Sequence, residues 1–145
     1  MALDVIPGVT SGTFLLLRGI LKSQTSTLYD FGLLVVGNAR LYIAGELVVD
    51  NWNKITKSGH FFGMGTAEER GCMFVEAGKE YVVEMHFKSA GADAGFAAGS
   101  GAFRLGGCPR IPETEELERA VTLAAEADIA IVIVGLNHEL ESEGV

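Results

Sequence analysis

The sequence has no hydrophobic run near the roughly 20 residues that a membrane-spanning helix takes. It also lacks an excess of basic side chains, because 11 lysines and arginines stand against 19 aspartates and glutamates, for a net charge of −8. Nucleic acids and anionic membranes bind basic surfaces, so we expect neither as a partner. The short apolar stretch 14–17 follows no basic region and predicts no signal peptide, which leaves the localisation, secreted or cytoplasmic, undetermined.

Cysteine is scarce as well. Cys72 and Cys108 are the two in the chain, and they could form one disulfide or none, so cysteine usage does not fix the redox compartment. What the chain has in quantity is hydrophobic residues, at 48%, against 21% charged. This balance excludes a disordered chain, and 145 residues are enough for a packed core of about one domain.

Segment 35–52 carries the clearest pattern. Its residues alternate with a period of two on both sides of Ala44-Gly45, which predicts two paired strands and a tight turn at the centre of a β-sheet domain. A type I′ turn needs positive φ at both central residues, which would cost Ala44 about 1–2 kcal/mol. Either the turn is of another type, or the hairpin carries strain.

Further strands are predicted on both sides of this hairpin. Residues 28–36 read as one strand, and 72–76 and 81–88 read as a second strand pair joined by the turn at 77–79. Residues 103–105 form a candidate last strand that returns to the β domain. The loop 53–71 has four glycines around Phe61 and Phe62. Long loops in compact domains are usually functional or mobile.

Two interpretations of these phenylalanines stay open. In one, both rings close the end of the β domain. In the other, one ring is presented outward to a ligand, as aromatic side chains often are in sugar sites.

After Pro112 the period changes to that of a helix. Residues 113–126 place Leu117 and Val121 on one apolar stripe, and Ile129–Val134 is a continuous apolar run typical of a strand buried in a parallel sheet. Five large apolar side chains left in water would forgo on the order of 10 kcal/mol, at about 2 each. We therefore expect the chain to be a piece of a longer protein, cut after the first αβ unit of a second domain.

Ligands of open α/β sheets bind beyond the carboxyl ends of the strands, where this chain has the loop 135–145. That loop holds three glutamates, a histidine and an asparagine, which make a candidate site. A solvated acidic loop is the alternative. The residues lack a recognised metal-ligand spacing, and the chain has no glycine-rich nucleotide motif.

The stretch IAIVIVGLNHELESEG resembles the family 3 glycoside hydrolases. Upstream, ARLYIAGELVVDNW, FFGMGTAEERG and VEAGKEYVVEMHF resemble the PA-14 β-sandwich that many β-glucosidases of this family carry as an insert. The resemblance implies a mainly β fold: a PA-14-like antiparallel β-sandwich over 1–107, then one α/β unit of a truncated parallel-sheet domain over 108–145. In that second part it implies a helix at 113–126, a strand at 129–134 and a catalytic loop at 135–145.

The same resemblance implies part of a retaining β-glucosidase that acts on terminal, non-reducing β-D-glucosyl residues without a cofactor. Glu143 matches the family's general acid/base, Glu141 would orient the loop or a substrate hydroxyl, and Phe61 or Phe62 would contact an outer sugar. The partners implied are a β-glucoside or oligosaccharide and an N-terminal barrel domain. That barrel carries the aspartate nucleophile and is absent from these residues, so we expect the fragment alone to be inactive.

One departure concerns metal. Adhesin-like relatives of the β-sandwich bind calcium through adjacent aspartates, whereas this chain has no Asp-Asp pair and Ala44 stands where an aspartate is common. We therefore expect no metal site. The alternative function is a non-catalytic carbohydrate-binding or adhesion module built on the same β-sandwich. The sequence leaves the aglycone, the linkage and the oligomeric state undetermined.

Overall fold

The computed structural model describes residues 11–53, 55–60, 63–92 and 94–132. The chain divides into two compact units, 1–110 and 111–145. The boundary expected after residue 107 falls inside a strand, which continues to Pro109. None of the described helices is both long and apolar enough to span a membrane.

The first unit is built from two antiparallel sheets. Its described strands are β1 Phe14–Lys22, β2 Thr27–Val36, β3 Asn38–Ile43, β4 Glu46–Asn51, β5 Glu69–Val75, β6 Glu80–Lys88 and β7 Ala102–Pro109. One sheet has the order β1-β6-β3-β4 and the other β5-β2-β7. The predicted antiparallel β-sandwich is confirmed.

The core lies between the sheets because alternate residues of each strand face inward. In β3, for example, every second side chain is buried, whereas the intervening ones reach solvent. Phe87 of β6 and Phe103 of β7 meet across the core with ring centroids 5.5 Å apart. The fully buried apolar side chains of the core cluster are Leu33, Val35, Ala39, Leu41, Ile43 and Val75.

The predicted pairing of the strands at 72–76 and 81–88 is wrong. Both strands exist, as β5 and β6, but they belong to different sheets. The backbone of their connection bonds elsewhere: the Gly78 amide donates to the Ser23 carbonyl at 2.8 Å, and the Ala77 amide donates to the Ser26 hydroxyl at 2.9 Å. Because Ser23 and Ser26 lie in the β1–β2 connection, the two crossovers between the sheets hold each other in place.

The hairpin predicted at 35–52 is present as β3 and β4, of which β3 is an inner strand and β4 the edge strand of the four-stranded sheet. Ala44 has φ of 51° and Gly45 has φ of 84°, so both central residues of the turn have positive φ. The second of the two alternatives is therefore the observed one: the hairpin carries strain at its turn. The strand at the middle of the opposite sheet is β2, which pairs with both β5 and β7.

The two cysteines lie on opposite sides of β2. Cys72 in β5 and Cys108 in β7 are both register partners of Asp30. Two strand spacings separate their backbones by about 10 Å, beyond the roughly 7 Å that a disulfide can bridge. Both are exposed free cysteines.

The second unit contains helix α1, Glu113–Glu126, over the range that the sequence analysis gives. Its apolar stripe is exposed, with Leu117 at 66% and Val121 at 60%. The strand expected at 129–134 is not formed over its described part, 129–132, where Ile129 is 82% exposed. A strand needs a hydrogen-bonded neighbour, and the described residues pair none with this segment. The rest of that strand and the loop 135–145 lie outside the described residues.

Candidate functional site

All four predicted site residues lie outside the described residues: Phe61, Phe62, Glu141 and Glu143. The structure therefore describes no contact of these four side chains. What it does describe is the frame of the loop in which Phe61 and Phe62 occur in sequence. This loop follows β4 and ends at β5, so it joins the two sheets.

The two arms of the loop are bonded to each other. Lys57 and Thr66 form an antiparallel bridge, and the Ser58 amide donates to the Gly65 carbonyl at 3.1 Å. The Ser58 hydroxyl donates to the Thr66 carbonyl at 2.8 Å. Nearer the tip, the Gly65 amide donates to the His60 carbonyl at 2.9 Å. These bonds make the described arms an ordered stem rather than an open coil.

The stem is fixed to the centre of the sandwich by Thr66 and Asn51. The Thr66 amide donates to the Val35 carbonyl at 2.9 Å, and the Val35 amide donates to the Thr66 hydroxyl at 3.2 Å. The side-chain amide of Asn51 donates to the Thr66 hydroxyl at 2.8 Å and to the Leu33 carbonyl at 3.0 Å. Asn51 is fully buried and Thr66 is 3% exposed. Buried bonds of this kind hold the loop in one position relative to β2.

Beside the stem lies an open groove of about 720 Å³. We call it the loop groove; its described lining includes residues 55, 57 and 63–66 of the loop and residues 90, 91, 94, 95 and 97 of the glycine- and alanine-rich segment after β6. Its described polar lining includes Asn38, Lys57 and Thr66. The volume lies within the range of about 300–1,000 Å³ found for small-molecule sites.

The lining residues of segment 90–97 are alanines and glycines, whose small size leaves room for a ligand, and Lys57 and Asn38 can donate hydrogen bonds to hydroxyl groups. Among the described residues, no group of three histidine, cysteine, aspartate or glutamate side chains is placed to hold a metal ion.

Sequence reasoning missed the residues that build this frame. Asn51 has the same strand phase as Val49 in β4, so it is a polar residue at a core-facing position. That departure from the alternation was the available signal for a buried anchor. For Lys57 and Asn38, which lie 19 residues apart, the sequence contains no comparable signal.

Comparisons with known proteins agree with the β-sandwich fold described above. The family model described as the PA14 domain matches residues 8–99. The chain belongs to the PA14 domain family. The resemblance to a PA14 sandwich that the motifs imply is confirmed, and residues 8–99 include both the loop stem and the segment 90–97 of the loop groove.

The relatives of this PA14 chain are β-glucosidases. Probable beta-glucosidase H of Emericella nidulans is 43% identical over 133 residues, covering 88% of this chain and 16% of the relative. Probable beta-glucosidase H of Neosartorya fischeri is 40% identical over 144 residues, covering 95% of this chain and 17% of the relative. The chain thus spans about one sixth of the length of these relatives.

A solved structure extends the same similarity to three dimensions. The crystal structure of beta-glucosidase from Kluyveromyces marxianus in complex with glucose matches with a TM-score of 0.76 and 31% identity. The match covers 99% of this chain and 17% of that protein. The PA14 chain is therefore similar in sequence and in fold to a segment of these β-glucosidases.

Proposed function

We propose that this chain is part of a retaining β-glucosidase of the family 3 type, which releases terminal, non-reducing β-D-glucosyl residues. The observation that supports this most is the extent of the similarity to β-glucosidases. It covers 95% of the chain with the Neosartorya fischeri relative, beyond the PA14 match at 8–99. A free-standing PA14 adhesion module would not account for similarity outside that range.

In this proposal Glu143 is the general acid/base. Its carboxyl group gives a proton to the glycosidic oxygen while the bond from that oxygen to C1 breaks and an aspartate carboxylate bonds to C1. The leaving alcohol departs and a glycosyl ester remains. Glu143, now a carboxylate, then takes a proton from a water molecule whose oxygen bonds to C1 and releases the aspartate. Glu141, two residues earlier, orients the loop or a sugar hydroxyl.

The aspartate nucleophile belongs to the barrel domain of the family, which these 145 residues do not include. Retaining glycosidases hold their two carboxyl groups about 5–5.5 Å apart, so both must be present in one active site. We therefore propose that the 145-residue chain alone does not hydrolyse a β-glucoside, and that the substrate meets Glu143 only beside the barrel domain.

The PA14 loop contributes to substrate selection in this proposal. Phe61 or Phe62 contacts the sugar beyond the cleaved bond, and the stem bonds from Thr66 and Asn51 support its position. A loop that is fixed to β2 loses little conformational entropy when it meets a ligand. An oligosaccharide would then bind through this contact, whereas a simple aryl glucoside would not depend on it.

A chimera tests the proposal. This chain replaces the matching segment of the Kluyveromyces marxianus β-glucosidase, and hydrolysis of an aryl β-glucoside and of a cello-oligosaccharide is measured. We expect both activities. Substituting Phe61→Ala and Phe62→Ala together should raise KM for the oligosaccharide about tenfold, the effect of 1.4 kcal/mol, and leave KM for the aryl glucoside unchanged.

The matched control is Phe74→Ala, on an exposed phenylalanine of β5. It should change neither KM. A folded chimera that hydrolyses neither substrate but still binds the oligosaccharide would overturn the enzymatic proposal and favour a carbohydrate-binding module.

A further inference from the structure

The outer face of the four-stranded sheet carries a second depression. It has a volume of about 340 Å³, and its lining includes Phe14 and Leu16 of β1, Arg40 of β3, His86 of β6 and Trp52, which follows β4. We call it the aromatic pocket. Its lining residues come from all four strands or their ends, so the sheet itself holds the pocket in shape.

Two rings dominate this pocket. Phe14 and Trp52 lie with their centroids 6.1 Å apart and their planes at 27°. Phe14 is 66% exposed although it is a large apolar side chain in a regular strand. The Phe14 side chain faces away from the core, so it does not contribute to the packing between the two sheets. The two stacked rings give the pocket an apolar lining, against which the C–H face of a pyranose ring can pack.

Fixed polar groups surround the Trp52 ring. The Asp50 carboxylate accepts hydrogen bonds from Arg40 Nε at 3.2 Å, from the Trp52 amide at 3.0 Å and from Asn53 Nδ2 at 3.1 Å. The Arg40 guanidinium lies over the indole, with Cζ 5.3 Å from the ring centroid. Its five N–H donors are more than its bond to Asp50 uses. The bond to Asp50 thus holds the Arg40 donors in place beside the aromatic rings before any ligand arrives.

The charge state of these groups is stable near neutral pH. Partial burial of Asp50 would raise the pKa of its carboxyl group, but the bonds from Arg40 and from the Trp52 amide outweigh this and lower it. The pKa of Arg40 is raised by the same pair. The carboxylate acceptor and the cationic donor therefore coexist at the pH at which most ligands would bind.

The chemistry of the pocket selects among ligand classes. Arg40 and Asp50 cancel in charge, and the further cation Lys88 lies 5.3 Å over the Phe14 ring. A polyanion would need several basic side chains without such a carboxylate. A neutral sugar needs an apolar face with a few polar groups beside it, and the pocket offers the aromatic rings together with Arg40 and His86. The volume suits one ring rather than a folded peptide.

We propose that the aromatic pocket binds one pyranose unit of a neutral oligosaccharide, stacked on Phe14 and Trp52. The pocket adjoins the loop groove, because Asn38 lines the groove and its side-chain amide donates to the Trp52 carbonyl at 3.1 Å. The choice of a β-glucan as ligand, although not the pocket itself, rests on the proposed function.

Trp52 is the one tryptophan of the chain and reports directly on the pocket. The experiment titrates the 145-residue chain with cellotriose, and separately with glucuronic acid, and follows tryptophan fluorescence and the indole N–H resonance. We expect a saturable change with cellotriose and a much weaker one with the anionic sugar. Phe14→Ala should weaken cellotriose binding at least tenfold, with unchanged thermal unfolding because Phe14 lies outside the core.

Phe74→Ala is the matched control, since Phe74 is 54% exposed on the other sheet, and it should leave the affinity unchanged. The absence of a fluorescence change on titration, or cellotriose binding that survives Phe14→Ala, would overturn the proposal that this pocket binds a sugar. Cellotriose could also bind without changing the indole signal and lose its affinity in Lys57→Ala. That result would overturn the proposed pocket and indicate that the sugar binds in the loop groove. An inactive chimera with an intact indole response would instead contradict the proposed enzyme and leave the pocket standing.

Discussion

At the scale of single residues, Ala44 shows a local rule being overridden by the sheet around it. It is the one non-glycine residue with positive φ in the described part of the chain. Its amide donates to the Val82 carbonyl of β6 at 2.8 Å, so the turn is fixed by the neighbouring strand. The side chain is exposed and gains nothing there. Another residue type at position 44 would therefore lower the strain of the turn.

Substituting Ala44→Asn should raise the free energy of unfolding by about 1 kcal/mol, because Asn-Gly suits a type I′ turn. Denaturant unfolding of both proteins measures this. Ala77→Asn, in the exposed turn before β6 but without positive φ, is the control and should bring no gain. A loss of stability with Ala44→Asn would show that the turn does not limit the hairpin.

Asp30 and Arg110 join the centre of one sheet to the end of β7. The guanidinium of Arg110 bonds both oxygens of the carboxylate, with Nε 2.9 Å from Oδ2. This bond holds the pKa of Asp30 below its ordinary value of 3.8. A carboxyl group with a lowered pKa in the folded state stabilises that state fully above 3.8 and loses the effect as pH falls through the folded value.

Unfolding free energies measured between about pH 2 and pH 7 should thus fall less steeply at the acid end in Asp30→Asn than in the parent chain. Arg110→Gln, which keeps the carboxyl group and removes its partner, should flatten the profile in the same way. If the three profiles run parallel, this ion pair does not contribute to acid sensitivity.

At the scale of elements, most strand positions other than β1 were predictable, as was the β3–β4 hairpin, whereas the sheet that each strand joins was not. Alternation with a period of two located β2, β3, β4 and β6, since the inward faces must be apolar. Alternation does not state which sheet a strand joins, and β5 and β6 are separated by a short turn that normally indicates a hairpin. The turn between β5 and β6 instead forms hydrogen bonds with Ser23 and Ser26, which are far away in sequence.

At Gly71, the edge strand β5 of one sheet lies close to the backbone of the edge strand β4 of the other. A Cβ added there would lie 2.0 Å from the Val48 carbonyl oxygen of β4. Backbone atoms cannot move aside as a flexible side chain can. We therefore expect Gly71→Ala to lower the free energy of unfolding by about 1–3 kcal/mol, as overpacking of a core does.

The control is Gly106→Ala, because Gly106 of β7 has no neighbouring atom within 4 Å of the added methyl group. It should change stability by less than about 0.5 kcal/mol. Thermal unfolding of the two variants compares them directly. Equal losses in both would mean that the approach of β4 to β5 is looser than described.

At the scale of the whole molecule, the two units differ in how much of their apolar surface is buried by their own residues. The sandwich closes around a core of fully buried side chains, whereas α1 has no buried residue. The sequence predicted both the sandwich and the helix. It could not predict the aromatic pocket, because Phe14 and Trp52 are 38 positions apart and meet only through the order β1-β6-β3-β4.

We propose that Glu143 supplies the proton in a retaining β-glucosidase, and substitution of this residue is the sharpest test. In the chimera with the Kluyveromyces marxianus enzyme, Glu143→Ala should lower the turnover of an oligosaccharide by about 10²–10⁴-fold. An aryl glucoside with a good leaving group should still form the glycosyl-enzyme, and added azide should restore its turnover and yield β-glucosyl azide. Wild-type turnover of the oligosaccharide in this variant, without any response to azide, would contradict the account.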